Sequence, residues 1–342
     1  MNDSQIVQVG LASFGMSGKV FHAPFIERNP NFNLKLILER SKSNSKELYP
    51  NARIVRSFEE LISDNEIELI VINTPTYLHY EMAKQALLAG KHIVLEKPMT
   101  ATSQQSEELI NIAKEQNLLI AVYHNKRLEG GFKTVKKLLS ENKLGALKNC
   151  HISMHRYKPE IGVKLWKEGD YSGAGLLYDI GSHLIDQCLD LFGWPINVEA
   201  DLQIQRKDSQ VIDYFYITLK YKNFNAVIVS DMLTQENKPS FHVIGSKASY
   251  IKYGKDTQEG SLVEGNVNWE KLGEDLEENY GILTLNENGN TEKIKTENGS
   301  YIEFYQNVFE ALRHDATLLI TPKQAQDVIK MIEWIQESSN TK

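Results

Sequence analysis

Cysteine, net positive charge and long apolar runs are what this chain has least of. Only Cys150 and Cys188 occur in 342 residues. Two thiols so far apart in a long chain are expected as free, buried side chains of a reducing compartment, not as a disulfide framework. The formal net charge is -7, so no basic surface is expected to track phosphates, and nucleic acid is not an expected partner. No apolar run approaches the ~20 residues of a membrane span, so no membrane partner is expected. The N-terminus lacks a basic segment followed by an apolar one; the expectation is no signal peptide and a cytoplasmic protein. The nine histidines are scattered, C-x-x-C is absent and the carboxylates do not cluster, so no metal is expected.

What the chain has is two textures. Hydrophobic residues make up 41%, ample for two cores in a chain of this length. In the first third, apolar β-branched runs at 6–11, 34–38, 67–72, 92–95 and 118–122 alternate with helix-like segments at 77–88 and 103–116. Thr102 is an N-cap candidate. Strands apolar throughout, alternating with helices, predict buried βαβ units and a doubly wound parallel sheet over 1–123. From 124 to 342 the pattern changes to strands with one solvated face, at 149–156, 198–205, 212–220, 225–230 and 241–244. Their closeness in sequence predicts a mainly antiparallel sheet in an α+β domain. One helix is expected at 176–192 and two at the end, 301–313 and 323–338. Residues 255–300 read as irregular or as short hairpins.

Five stretches carry polar groups at places where such sheets bind ligands. Ser13-Phe14-Gly15-Met16-Ser17-Gly18 follows the first strand. Gly15 and Gly18 fit the second and third glycines of a dinucleotide turn, but serine stands at the first. A cofactor turn and a plain strand-to-helix turn both fit it. Glu39 follows the second strand at the spacing of an acid that bonds a ribose 2′-hydroxyl in NAD sites. The adjoining Arg40, Ser41 and Lys42 suit the 2′-phosphate of NADP instead, which a carboxylate would repel. Thr74, Pro75, Thr76 and His79 follow a third strand end, and Glu96-Lys97-Pro98 a fourth. A partly desolvated Lys97 there would stabilise an alkoxide; an exposed loop lysine is the plainer reading. In the later helix Asp179 and His183 stand four apart on one face, as a general base and its orienting carboxylate would. The clusters Tyr123-His124-Asn125-Lys126-Arg127 and His155-Arg156-Tyr157 suit either a polyol pocket or the surface.

The order of these motifs is specific. A glycine turn, T-P-x-x-x-H, E-K-P and D-x-G-x-H together resemble the Gfo/Idh/MocA family of nicotinamide-dependent oxidoreductases across the whole chain. The segments "SGKVFHAPFI", "EKPMTAT", "VYHNKR" and "LYDIGSHLIDQ" resemble its branch of NADP-dependent scyllo-inositol dehydrogenases. The resemblance implies a Rossmann domain followed by a domain with a large open sheet that commonly builds dimers or tetramers. It implies NAD or NADP as cofactor, with Ser13–Ser17, Glu39–Ser41, Thr74–Thr76, His79, Glu96 and Lys97 near it. It implies Lys97, Asp179 and His183 as catalytic residues, with Asn125, Arg156 and Tyr157 beside them at a cyclic polyol or sugar. Glu39 argues for NAD, the branch for NADP. A non-catalytic dinucleotide sensor on the same fold, or a reductase of another substrate such as a dihydrodiol, is the competing expectation.

Overall fold

The computed structural model describes residues 6–265 and 267–340. They form two compact units. Of these, the first comprises residues 6–124 together with Tyr301–Ile329; the second comprises the described residues of 125–300 and 330–340.

The first unit holds six parallel strands: β1 (Val7–Leu11), β2 (Phe32–Leu38), β3 (Arg53–Val55), β4 (Leu69–Ile72), β5 (His92–Glu96) and β6 (Ile120–Tyr123). Their order is β3-β2-β1-β4-β5-β6. The order reverses between β1 and β4, so a ligand crevice is expected outside the carboxyl ends of these strands. Leu69, Ile70, Val71 and Ile72 are all fully buried. A strand covered on both faces has no polar alternation, hence the unbroken apolar run. Each such side chain contributes about 1.5–3 kcal/mol by its burial. The helices Thr76–Leu88 and Ser103–Glu115 cross over between strands. Thr102 caps the second, its hydroxyl accepting from the Gln105 N–H while the Gln105 side-chain oxygen accepts from the Thr102 N–H. Strand β3, only Arg53-Ile54-Val55, was not expected; three residues are too few to show a period.

The second unit carries eight strands: β7 (Leu147–Ser153), β8 (Asn197–Gln203), β9 (Tyr214–Lys220), β10 (Asn225–Asp231), β11 (Phe241–Gly245), β12 (Ala248–Lys252), β13 (Gly281–Leu285) and β14 (Thr291–Ile294). The order is β14-β13-β12-β11-β7-β10-β9-β8. Two antiparallel meanders, β8–β10 and β11–β14, flank β7, which pairs parallel to β10 and antiparallel to β11. The sheet is therefore mainly antiparallel, with one parallel seam that sequence neighbourhood did not predict. Residues 255–300 contain a helix, Thr257–Glu264, and the β13–β14 hairpin. The helix Gly130–Ser140 also went unread in the sequence. Cys150 and Cys188 are buried and not bridged. Among the described residues, no helix is long and apolar enough to cross a membrane.

Candidate active site

In the first unit the glycine turn leaves β1 and enters a helix beginning at Met16, with a π-helical stretch at Gly18–His22. A Cβ at Gly18 would lie 2.1 Å from the Ser13 carbonyl oxygen and 2.8 Å from Asn73 Nδ2. Only glycine permits that approach of helix to strand end. A Cβ at Gly15 would meet nothing nearer than the Ser13 hydroxyl at 3.5 Å, so Gly15 leaves open space above the turn. Ser13 is not among the described residues with positive φ, so its position tolerates a Cβ. Its hydroxyl accepts from the Gly15 N–H at 3.3 Å, and its carbonyl accepts from Asn73 Nδ2 at 2.8 Å. An open glycine beside a helix N-terminus fits a pyrophosphate.

Glu39 and His79, both expected at the cofactor, have their polar atoms taken up inside the protein. Glu39 is buried; its Oε1 accepts from the Ser45 N–H and hydroxyl at 2.8 and 2.6 Å, and its Oε2 from the Asn44 N–H at 3.0 Å. Burial raises this carboxyl, but these bonds and the Arg56 charge bring it below its ordinary value. Arg40, Ser41 and Lys42 are exposed, and Arg56 holds their loop by donating to the Glu39 carbonyl at 2.7 Å. His79 is buried with Nδ1 2.9 Å from the Pro98 carbonyl and Nε2 2.9 Å from that of Thr74. Burial depresses its pKa although the carbonyls pull the other way. The ring thus joins the Thr74-Pro75-Thr76 turn to the Glu96-Lys97-Pro98 turn.

Glu96 ends β5 and links these pieces. Its Oε1 accepts from the Ser17 hydroxyl and lies 3.1 Å from His22 Nε2, and its Oε2 accepts from the Lys97 N–H at 3.1 Å. Burial alone would raise this carboxyl; His22, Ser17 and the Lys97 charge outweigh it and hold it at about 2. His22 is itself buried, with Nδ1 2.7 Å from the Tyr305 hydroxyl and its ring 4.7 Å from that of Tyr123. The sequence signal for His22 was only a polar residue in an otherwise apolar "VFHAPF". Lys97 is half-buried beside Glu96 at the carboxyl end of β5.

In the second unit Asp179 lies on a π-helical stretch, Leu177–Gly181, that runs directly into the helix Ser182–Phe192 carrying His183. The two residues are therefore on consecutive turns of different pitch rather than on one regular helix; π-helical turns often mark functional sites. Lys167 Nζ lies 3.0 Å from Asp179 Oδ1, and Arg156 Nη1 3.5 Å from Oδ2. Lys167, unread in the sequence, comes from the short helix Leu165–Glu168. His183 is buried at 5% exposure. Its helix is anchored by Arg127, which makes two bonds to Asp186 at 2.7 and 2.6 Å and one to Asp190 at 3.1 Å. Arg127 is thus a scaffold residue, while Asn125 is buried in the same 3-10 turn. His155 pairs with Asp231 at 2.8 Å, and Tyr157 is exposed on a bridge to Leu233.

Two stretches of the chain match family models separately. Residues 6–124 match the oxidoreductase family, NAD-binding Rossmann fold, and residues 136–342 the oxidoreductase family, C-terminal alpha/beta domain. The chain is 38% identical over 339 residues to scyllo-inositol 2-dehydrogenase (NADP(+)) IolW of Bacillus subtilis, spanning 98% of this chain and 94% of that protein. It is 35% identical to the oxidoreductase YdgJ of Escherichia coli, spanning 98% and 97%. Among solved structures, the oxidoreductase yvaA of Bacillus subtilis superposes with a TM-score of 0.94 at 37% identity, over 100% of this chain and 98% of that one. An oxidoreductase of Bacteroides fragilis reaches 0.89 at 44% identity, over 98% of each. With both halves matched and near-complete coverage, this chain belongs to the Gfo/Idh/MocA family of oxidoreductases and carries its NAD(P)-binding Rossmann domain.

Proposed function

We propose that the protein is an NADP-dependent dehydrogenase acting on a secondary hydroxyl of a cyclic polyol or sugar of the scyllo-inositol type. The observation that carries this reading is Asp179: a carboxylate flanked by two cations, Lys167 and Arg156, one turn before His183. Full-length similarity to a scyllo-inositol 2-dehydrogenase supports the substrate class.

Oxidising a secondary alcohol removes a hydride from carbon and a proton from oxygen. A bound nicotinamide supplies the hydride acceptor. His183 takes the hydroxyl proton, the role for which imidazole is suited near neutral pH. Asp179 accepts a hydrogen bond from the substrate, and its two cationic neighbours orient it. The role assigned to Lys97 is to stabilise the alkoxide by its charge. Asn125, Arg156 and Tyr157 contact the remaining hydroxyls. Glu39 faces inward, so the exposed Arg40, Ser41 and Lys42 meet a 2′-phosphate without carboxylate repulsion; this favours NADP. Self-association through the open face of the eight-stranded sheet, where Tyr216 is 40% exposed, completes the reading.

The test is a spectrophotometric panel of NAD and NADP against scyllo-inositol, myo-inositol, glucose and xylose. NADP reduction with at least one inositol is expected. Lys97→Ala and His183→Ala should each cut kcat by about 10²–10⁴-fold with a folded protein by circular dichroism. Wild-type turnover in both variants would overturn the assignment.

A further inference from the structure

Between Tyr157 and Leu176 the chain of the second unit runs through a long connection, residues 158–175, with the single helical turn Leu165–Glu168 inside it. Connections of this length are usually functional or disordered. This one is tied down by a cluster of charges that the dehydrogenase reading does not use. The side chains of Arg206, Glu168 and Asp213 are only 2%, 9% and 1% exposed. Arg206 Nη2 donates to Glu168 Oε2 at 2.6 Å, and its Nε donates to Asp213 Oδ2 at 2.9 Å. Its Nη1 donates to the carbonyls of Lys158 and Glu160, each at 3.4 Å. Glu168 Oε1 in turn accepts from the Gly162 N–H and the Lys158 ammonium, both at 3.3 Å. Burial pushes the Glu168 carboxyl up, but Arg206, Lys158 and the Gly162 N–H outweigh it and hold it below its ordinary value.

The same cluster reaches the residues assigned to substrate. Asp213 accepts from the N–H groups of Gln205 and Arg206 at 2.7 and 3.1 Å, which closes residues 205–213 into a fixed turn. The neighbouring Ile212 carbonyl accepts from the Leu176 N–H at 2.7 Å, at the entry to the π-helical stretch that bears Asp179. One end of the Lys167–Asp179 pair is thus fixed to this turn by backbone. The other end is fixed to it through Arg206. Successive residues of a helical turn point about 100° apart, so while Glu168 turns to Arg206, Lys167 is left to reach Asp179 at 3.0 Å. A buried ion cluster is weak evidence for stability, because desolvation offsets its attraction. What this one does is bring a long connection to one guanidinium, in the bidentate geometry that fixes direction as well as distance.

We propose that Arg206 is a positioning residue of the active site: through Glu168 and Asp213 it anchors residues 158–175 to the turn at 205–213 and so sets Lys167 at the Asp179 carboxylate. The effect on substrate rests on the dehydrogenase reading; the anchoring does not.

Arg206→Lys keeps the charge and loses the fork that holds Glu168 and Asp213 together. With NADP and the polyol or sugar best oxidised in the panel, KM for that compound should rise about tenfold, with a smaller change in kcat. In a Lys167→Met background the same substitution should add less than about twofold, because the side chain it acts through is gone. An unchanged KM, or effects that multiply in the double variant, would overturn the proposal. Trypsin reads the anchoring without activity, by mass spectrometry of cleavage after Lys164 and Lys167 in native buffer. Arg206→Lys should speed cleavage at these two sites about tenfold, and sites elsewhere in the chain much less. No acceleration, or equal acceleration everywhere, would overturn the anchor. Should Arg206→Lys not fold, Glu168→Gln breaks the same contact and is read in the same way. If the wild type oxidises no compound, the dehydrogenase reading fails and the trypsin rates alone decide whether Arg206 holds the connection.

Discussion

The hydroxyl of Ser17 donates to Oε1 of Glu96 at 2.5 Å across 79 positions of sequence. This bond ties the glycine turn after β1 to the end of β5, where Lys97 stands. His22 approaches the same oxygen from the next helical turn. A carboxylate only accepts, so Nε2 of His22 carries the proton, and in the neutral ring Nδ1 accepts from Tyr305. The turn expected at the cofactor and the lysine expected at the alkoxide are thereby held in one network.

That network has a pH signature. Glu96 is held at about 2, below its ordinary 4.5. A depressed carboxyl contributes stability above the ordinary value and loses it as pH falls toward the folded one. Glu96→Gln should therefore unfold more easily than the wild type at neutral pH. The gap between the two should narrow between pH 4.5 and 2. Denaturant titrations at a series of pH values measure it; a gap constant to pH 2 would contradict the assignment.

The two turn glycines should separate stability from binding. Gly18→Ala forces a methyl against the Ser13 carbonyl and should cost about 1–3 kcal/mol, the range for overpacking. Gly15→Ala meets only ordinary contact in the protein, so its melting temperature should stay put. Its affinity for NADPH, read by fluorescence titration, should fall about tenfold or more through a clash of roughly 1.4 kcal/mol with the pyrophosphate.

Cofactor choice should reside in the exposed loop after β2. Arg40→Ala with Lys42→Ala removes the charges proposed to hold a 2′-phosphate. The expected loss is about tenfold or more in kcat/KM with NADP, as for charge-assisted phosphate contacts. NAD values should be unchanged. Equal losses with both cofactors would place the phosphate elsewhere.

Lys167→Met tests the electrostatics of Asp179. An ion pair this exposed contributes about 0–1 kcal/mol to stability, so the melting temperature should move little. Without the ammonium 3.0 Å away, Asp179 loses one of the cations that orient it, and KM for the polyol should rise about tenfold with a smaller change in kcat. An unchanged KM would mean that Lys167 only supports its loop.

Much of this molecule is legible in its residues one after another. Predominantly apolar, β-branched runs marked β1, β2, β4, β5 and β6, and in β4 every residue is buried, so no polar alternation is left. Thr102 announced its helix because a cap needs an oxygen just there. The motif order announced the family, since turns at strand ends carry the chemistry of a parallel sheet. What the sequence left open depended on contacts remote along the chain. Nothing local says that β7 enters between two meanders, because strand order follows from which faces must be covered together. Glu39 stood at the spacing of a ribose ligand, yet Ser45 and Asn44 turn it inward, and this decides which charges face outward. Lys167 carried no signal at all; its role comes from a short helix that delivers it to Asp179. Composition and period set which segments are strands and helices. The direction of each polar side chain was decided only by the partners that folding supplied.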